Sequence, residues 1–296
     1  MSSAWTQPQC AICGGALERE VLRITQPDRF ECHVGIAKQG YTRSWVECSS
    51  CGAATNVQSP ENRARLDALA ADYYEVDFAN GSIADKFAKV MELPLERSDN
   101  AQRVARIHAF MNEWLPNVSS TASVLDIGAG TGVFLSRFLE QARGGRWSAK
   151  AVEPDPVAAA HLRGLGRFQV AEALFSSNLG LVDFDLVTLN KVVEHLPNPV
   201  ALVAGAASAL RSPFGVLYVE LPDKLTVFHR PASDNILGAL HFHLYDPVSV
   251  GVLLSRAGLV TLRIERLFEP SGKITIAAFA TLGLAVDKLV AVGASL

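Results

Sequence analysis

Apolar residues change their spacing along this chain, and each change predicts a different kind of element. From about 60 to 118 they recur at helical intervals among charges, which predicts helices over 62–74 and 98–115. In the second segment Val104, Ile107, Phe110, Met111 and Trp114 share one face, and Pro116 ends it. From about 120 onward short apolar runs take over. Strands are predicted over 123–127, 149–152, 184–189 and 216–221, with a helix over 133–142 after the first. Three more helices open on one kind of dipeptide: Asp155-Pro156, Asn198-Pro199 and Asp246-Pro247. The carboxylate or amide accepts orphan backbone N–H groups, and proline at the first helical position loses no hydrogen bond. Strands alternating with helices imply βαβ units, hence a mostly parallel sheet with helices on both faces. Runs at 260–267 and 274–280 are separated by a short connection around Glu269-Pro270-Ser271-Gly272, which suits an antiparallel pair and not a crossover.

Composition narrows this picture. The 296 residues suffice for one large α/β domain and something small. With 49% hydrophobic and 19% charged residues, a sizeable core is expected and wholesale disorder is not. A net charge of −3 argues against a life on nucleic acid or on an anionic membrane. Residues 1–10 carry neither a basic region nor an apolar run, and the most apolar stretch, 274–286, is broken by Thr and Gly. The expectation is therefore a cytoplasmic chain without a membrane span, whose thiols stay reduced.

All five cysteines fall before residue 58. Cys10-Ala11-Ile12-Cys13 and Cys48-Ser49-Ser50-Cys51 are two C-x-x-C knuckles, each able to give two thiolates to one tetrahedron. Gly14-Gly15 and Gly52 follow them, where backbone N–H groups must turn towards sulfur. The expected metal is a structural zinc, since four cysteines leave no open coordination position. Residues 21–24 and 41–46 are candidate strands of a hairpin between the knuckles. Cys32-His33 has no partner pair and reads as a bystander.

The strongest signal is the run Val124-Leu125-Asp126-Ile127-Gly128-Ala129-Gly130-Thr131-Gly132, where an apolar strand passes into a helix. In a doubly wound sheet ligands bind there. The third glycine comes one residue too early for the dinucleotide pattern G-x-G-x-x-G. Glu153 closes the next strand, about twenty residues on, where a carboxylate can accept from both hydroxyls of a ribose. Together with Phe184–Asn190 and Val193-Glu194-His195-Leu196, these motifs resemble those of class I S-adenosylmethionine-dependent methyltransferases over roughly 120–281. The resemblance implies a Rossmann-like α/β sheet and S-adenosylmethionine as cofactor. It places Asp126, Gly128, Ala129, Gly130 and Gly132 at the methionine part and Glu153 and Pro154 at the ribose. Ala171 and Glu172 would flank the adenine, and Asn190 would sit near the transferring methyl.

The order of parts resembles the methyltransferases of deoxysugar nucleotides and other saccharides. That order is a four-cysteine module (1–58), a helical segment (59–118) with Asp72-Tyr73-Tyr74, a catalytic domain (119–281), and a tail (282–296). The C-methylating members carry a Glu-His pair after the fifth strand. Here Leu240 takes the glutamate position and His241 the histidine, and those members also have a further C-terminal domain where this chain ends soon after Ala280. O-methylation is therefore placed at least as well as C-methylation, on a sugar or sugar-nucleotide acceptor. A sugar hydroxyl needs a base, and the candidates are His195, His241 and His243, with Tyr73 and Tyr74 as candidate acceptor contacts. Two other readings stand beside this one. An RNA base methyltransferase would show basic patches with stacking aromatics, but Glu18, Glu20, Asp28, Glu31 and Glu47 offset Arg23, Arg29, Lys38 and Arg43. A cofactor-binding scaffold without turnover is the third.

Overall fold

The computed structural model describes residues 9–71, 82–115, 122–142 and 147–283. The chain opens with β1 (Leu17–Ile24), α1 (Arg29–His33), β2 (Arg43–Cys48), β3 (Ala54–Val57) and α2 (Pro60–Asp67). Helices α3 (Ile83–Met91) and α4 (Asp99–Trp114) follow. The alternating part runs β4 (Ala122–Ile127), α5 (Val133–Gln141), β5 (Trp147–Val152), α6 (Pro156–Gly164), β6 (Gln169–Ala171), β7 (Leu186–Asn190), α7 (Pro199–Ala207) and β8 (Val216–Pro222). An insert with α8 (Thr226–His229) and the two-residue β9 (His243–Leu244) precedes α9 (Pro247–Arg256), β10 (Leu259–Phe268) and β11 (Ile274–Leu282).

Seven strands form the main sheet in the order β10-β11-β8-β7-β4-β5-β6. Counted from β4, the first five stand as 3-2-1-4-5, as in a doubly wound nucleotide fold. The last two differ: β11 is antiparallel to both β8 and β10 and lies between them. The antiparallel pair expected from its short connection is thus present. Because β5 and β6 leave β4 on one side and β7 on the other, the strand order reverses between β4 and β7. That reversal opens a crevice at their carboxyl ends.

In the alternating part the predicted strands and helices form close to where the apolar pattern puts them. All seven residues of β8 are buried, as a central strand covered on both faces requires. Val104, Ile107, Phe110 and Met111 turn the predicted face of α4 inward, and Phe110 stacks on Phe279 of β11 at 3.9 Å. Truncating Phe110 to alanine would cost about 3–5 kcal/mol, the usual price of emptying an aromatic site. The three predicted caps are in place. Asp155, Asn198 and Asp246 accept from Ala158, Ala201 and Ser249 N, each with proline next in the helix. Among the described residues no helix is long and apolar enough to cross a membrane.

The cysteine region is smaller and antiparallel. Its hairpin of β1 and β2 is extended by β3, and then by β9 from the insert, giving β1-β2-β3-β9. Thr55 pairs with His243 and Ala54 with Leu244. Cys10, Ile12, Cys48, Cys51 and Ala53 are packed in the same apolar cluster as Leu189, Leu221 and Tyr245. Lys224 fastens the joint by donating to Glu47, to the Gly52 carbonyl and to Asp246. Gly52 sits at a φ of +78°, and a Cβ on it would come 2.5 Å from the Asp246 carboxylate. Only glycine lets the second knuckle approach the α9 cap so closely.

Candidate functional site

At the end of β4 the chain makes the glycine turn. Gly128, Gly130 and Gly132 all have positive φ, and a Cβ on Gly128 would lie 2.6 Å from the Val192 side chain. Asp126 lies beneath the turn, 1% exposed, and its Oδ1 accepts from Thr188 Oγ1 at 2.6 Å and from Asn190 Nδ2 at 2.9 Å. Burial pushes the Asp126 carboxyl up to about 7, against the pull of those two donors. Glu153 closes β5 and accepts from Gly130 N at 2.8 Å and Asp155 N at 3.0 Å, with burial again raising its pKa. Asn190 Oδ1 is buried without a partner among the described residues. A ligand carrying a donor would satisfy it.

The four knuckle cysteines converge. Their sulfurs lie within 4.8 Å of one another, with Cys10–Cys51 at 3.7 Å and Cys13–Cys48 at 3.4 Å, and no disulfide joins them. Zinc–thiolate bonds of about 2.3 Å set sulfurs about 3.8 Å apart in a tetrahedron, so this set fits the ion. Gly15 N donates to Cys13 Sγ at 3.3 Å, as the glycine after a knuckle should.

Between the cysteine region and the insert lies a pocket of about 710 Å³. Its walls include Arg43 and the segment from Arg23 to Phe30 on one side, and Asp234, Asn235 and His241 on the other, with His195 between. The rings of His195 and His241 meet edge to face at 4.5 Å. Burial lowers His195 to about 4 and His241 to about 3, so both imidazoles are neutral at neutral pH. The glycine turn and Glu153 do not line this pocket. His195 is the link, five residues beyond Asn190 in the turn that follows β7.

The sequence matches a family profile described as a methyltransferase domain over residues 97–264, more than half of the chain. The chain belongs to that family. It is an S-adenosylmethionine-dependent methyltransferase with a Rossmann-like sheet. Among solved structures it is similar to 1,6-didemethyltoxoflavin-N1-methyltransferase of Burkholderia thailandensis with bound 1,6-didemethyltoxoflavin and S-adenosylhomocysteine. That pair is 18% identical with a TM-score of 0.51, covering 82% of this chain and 96% of that one. It is also similar to magnesium protoporphyrin IX methyltransferase of Synechocystis PCC 6803, at 12% identity and a TM-score of 0.53, covering 73% and 100%. Likeness at such identities is likeness of fold. No curated protein matches the chain significantly.

In this methyltransferase the other sequence-chosen residues lie as follows. Ala171 ends β6 and its carbonyl accepts Glu153 N, while Glu172 pairs with Arg163 at the surface at 2.7 Å. Pro154 is exposed beside Glu153 and Ala129 is buried in the turn. His243 is 1% exposed in β9, with Nδ1 3.4 Å from Thr55 Oγ1, and burial lowers it to about 4. Tyr73 and Tyr74 fall outside the described residues.

Sequence reasoning passed over a buried ionic network at the end of β8. Glu220, 0% exposed, stands opposite Asn190 in the β7–β8 ladder. It accepts from Arg103 of α4 at 2.8 and 2.5 Å and from Tyr218 at 2.7 Å, and Arg106 and Lys191 approach to 3.7 and 3.6 Å. These cations hold its carboxyl far below the usual range despite burial. Removing one partner of such a pair typically costs about 3–5 kcal/mol. The network ties α4 over the carboxyl ends of the strands. A lone glutamate inside the apolar run 216–222 was its only sequence signal.

Proposed function

We propose that this methyltransferase moves the methyl group of S-adenosylmethionine to a hydroxyl of a sugar or nucleotide-linked sugar, with a neutral histidine taking the hydroxyl proton. The observation that carries this reading is the meeting of His195 and His241 on the wall of the pocket between the cysteine region and the insert. Its wall is largely apolar with arginine, aspartate, asparagine and histidine set into it, and those few polar groups supply partners for the hydroxyls of a sugar.

The cofactor brings a methyl already activated by its sulfonium, so the chain must align the acceptor and remove a proton. In this reading the turn at 128–132 takes the methionine part, with Asp126 and Asn190 locked together beneath it. Glu153 and Pro154 hold the ribose, Ala171 and Glu172 flank the adenine, and Tyr73 and Tyr74 reach the acceptor. Zinc on Cys10, Cys13, Cys48 and Cys51 gives structure to the module at 1–58. The catalytic domain at 119–281 carries the reaction, and the segment at 59–118 covers it through α4. His195 and His241 are the base candidates that border the pocket, and we assign His243 to the joint between β3 and β9. A carbon acid of a keto-sugar would lose its proton to the same pair, so C-methylation uses the same arrangement.

His241→Ala should lower turnover on a responsive nucleotide-linked sugar by roughly 10²–10⁴-fold while S-adenosylhomocysteine affinity, read by calorimetry, stays nearly constant. An unchanged rate removes His241 from the reaction. A panel of deoxysugar nucleotides that gives no methylated product in mass spectrometry would refute the acceptor class.

A further inference from the structure

Beside His195 and His241 on the pocket wall stands a buried carboxylate, Glu194, which burial raises to about 7. Glu194 is 1% exposed in the turn after β7, and its Oε2 has no hydrogen-bond partner. One ligating atom from each of Glu194, His195 and His241 lies within 4.8 Å of the other two. Both imidazoles are anchored through Nδ1, His195 on the Leu240 carbonyl at 3.3 Å and His241 on the Ile236 carbonyl at 2.5 Å. A carbonyl only accepts, so each Nδ1 carries the ring proton and each Nε2 keeps its lone pair. An imidazole that ligates a metal is held in this way, its other nitrogen donating to a carbonyl or carboxylate.

The arrangement is fixed before any ligand arrives. Phe242 N donates to the Glu194 carbonyl at 2.7 Å, which joins the two segments that carry the three side chains. Asn56 of β3 holds the His241 carbonyl from the other side at 2.9 Å. A buried carboxylate without a partner is costly unless a positive charge stands beside it. Lys191 acts on Glu194 at a distance, but its ammonium lies against Glu220 at 3.6 Å.

We propose that Glu194, His195 and His241 bind a divalent transition-metal ion at the acceptor pocket, separate from the four-cysteine site. Two imidazoles and one carboxylate favour first-row ions over magnesium or calcium and leave coordination positions open. Resting on the acceptor reading above, the consequence is a change in how the hydroxyl is activated. With the ion bound both Nε2 lone pairs are taken, so the metal would replace the histidine base of the metal-free reading: an acceptor hydroxyl at an open position would be acidified by the ion and would give its proton to solvent. The alkoxide lone pair then forms the new C–O bond while the C–S bond breaks and leaves its electron pair on sulfur.

The test is a titration of the zinc-loaded full chain with Co²⁺, followed by calorimetry and absorption, without cofactor or acceptor. One equivalent of cobalt should bind without a thiolate-to-cobalt charge-transfer band, and zinc content should stay at one. Glu194→Gln and His241→Gln should each weaken that binding about 100-fold or more, since even outer-shell partners of a ligand are worth 10–100-fold. Their zinc content and melting temperature report that they are folded, and His195→Gln serves if one of them is not. No cobalt bound, cobalt that displaces zinc and shows the thiolate band, or binding unaltered in the folded variants each overturns the site. Because no turnover is involved, failure here leaves the sugar reading to its own assay, and a silent sugar panel leaves this site standing.

Discussion

The glycine-turn site and the pocket, the two sides of the proposed reaction, are built by different means. On the proposed cofactor side Asp126, the glycine turn, Glu153 and Asn190 sit at the ends of three neighbouring parallel strands, placed by ladder register alone. On the proposed acceptor side the pocket draws its walls from β1 and α1, the turn after β7, and the insert before β9. One side is a property of the sheet, and the other exists only once the cysteine region has docked.

The sharpest way to break that contrast is to remove a knuckle. A structural zinc, as proposed for the four cysteines, is worth on the order of 10 kcal/mol or more to a small module, so Cys48→Ala should unfold it and lower turnover more than about 10³-fold. Cofactor affinity should change far less, and calorimetry with S-adenosylhomocysteine reads it. If affinity collapses in step with turnover, the two sides are one cooperative unit. The reciprocal substitution is Glu153→Ala. Losing hydrogen bonds to a carboxylate should weaken S-adenosylhomocysteine roughly 10–10²-fold while acceptor KM and the rate at saturating cofactor are retained. An acceptor KM that moves equally would show that the sides communicate.

The smallest effect is electrostatic. Asp126 titrates at about 7 in the folded chain because it is buried, far above an ordinary aspartate. Its protonated form is held more firmly when folded, so the stability it contributes is full below about pH 4 and is lost as pH rises through about 7. Asp126→Asn removes that titration and keeps an acceptor for Thr188 and Asn190. Between about pH 5 and pH 8 the ligand-free variant should therefore lose less melting temperature than the parent chain. Parallel curves would show that Asp126 carries no such cost.

What was legible follows the same division. The β4 turn, the three Asx-Pro caps and the β10–β11 pair announce themselves because each is decided by residues close in sequence. The boundaries of β1 and β11 shifted outward, since ladder partners extend a strand beyond its most apolar residues. β9 was not legible. His241-Phe242-His243-Leu244 alternates as a strand does, but two residues become one only against Ala54 and Thr55. Glu194 and Glu220 were passed over because a carboxylate in a sequence reads as solvent-facing, and only the fold shows that both are buried. α3 was missed as well: its two turns begin at a Ser82–Asp85 capping box, and Ser82 has no apolar run before it.

The bridge from Thr55 to His243 spans 188 positions of the chain. During synthesis β3 leaves the ribosome long before its last neighbour exists, so the edge of the nascent sheet stays open until the insert is made. Loop closure over such a span is entropically slow, which places completion of the N-terminal sheet among the last events of folding, although its residues are the first to be translated.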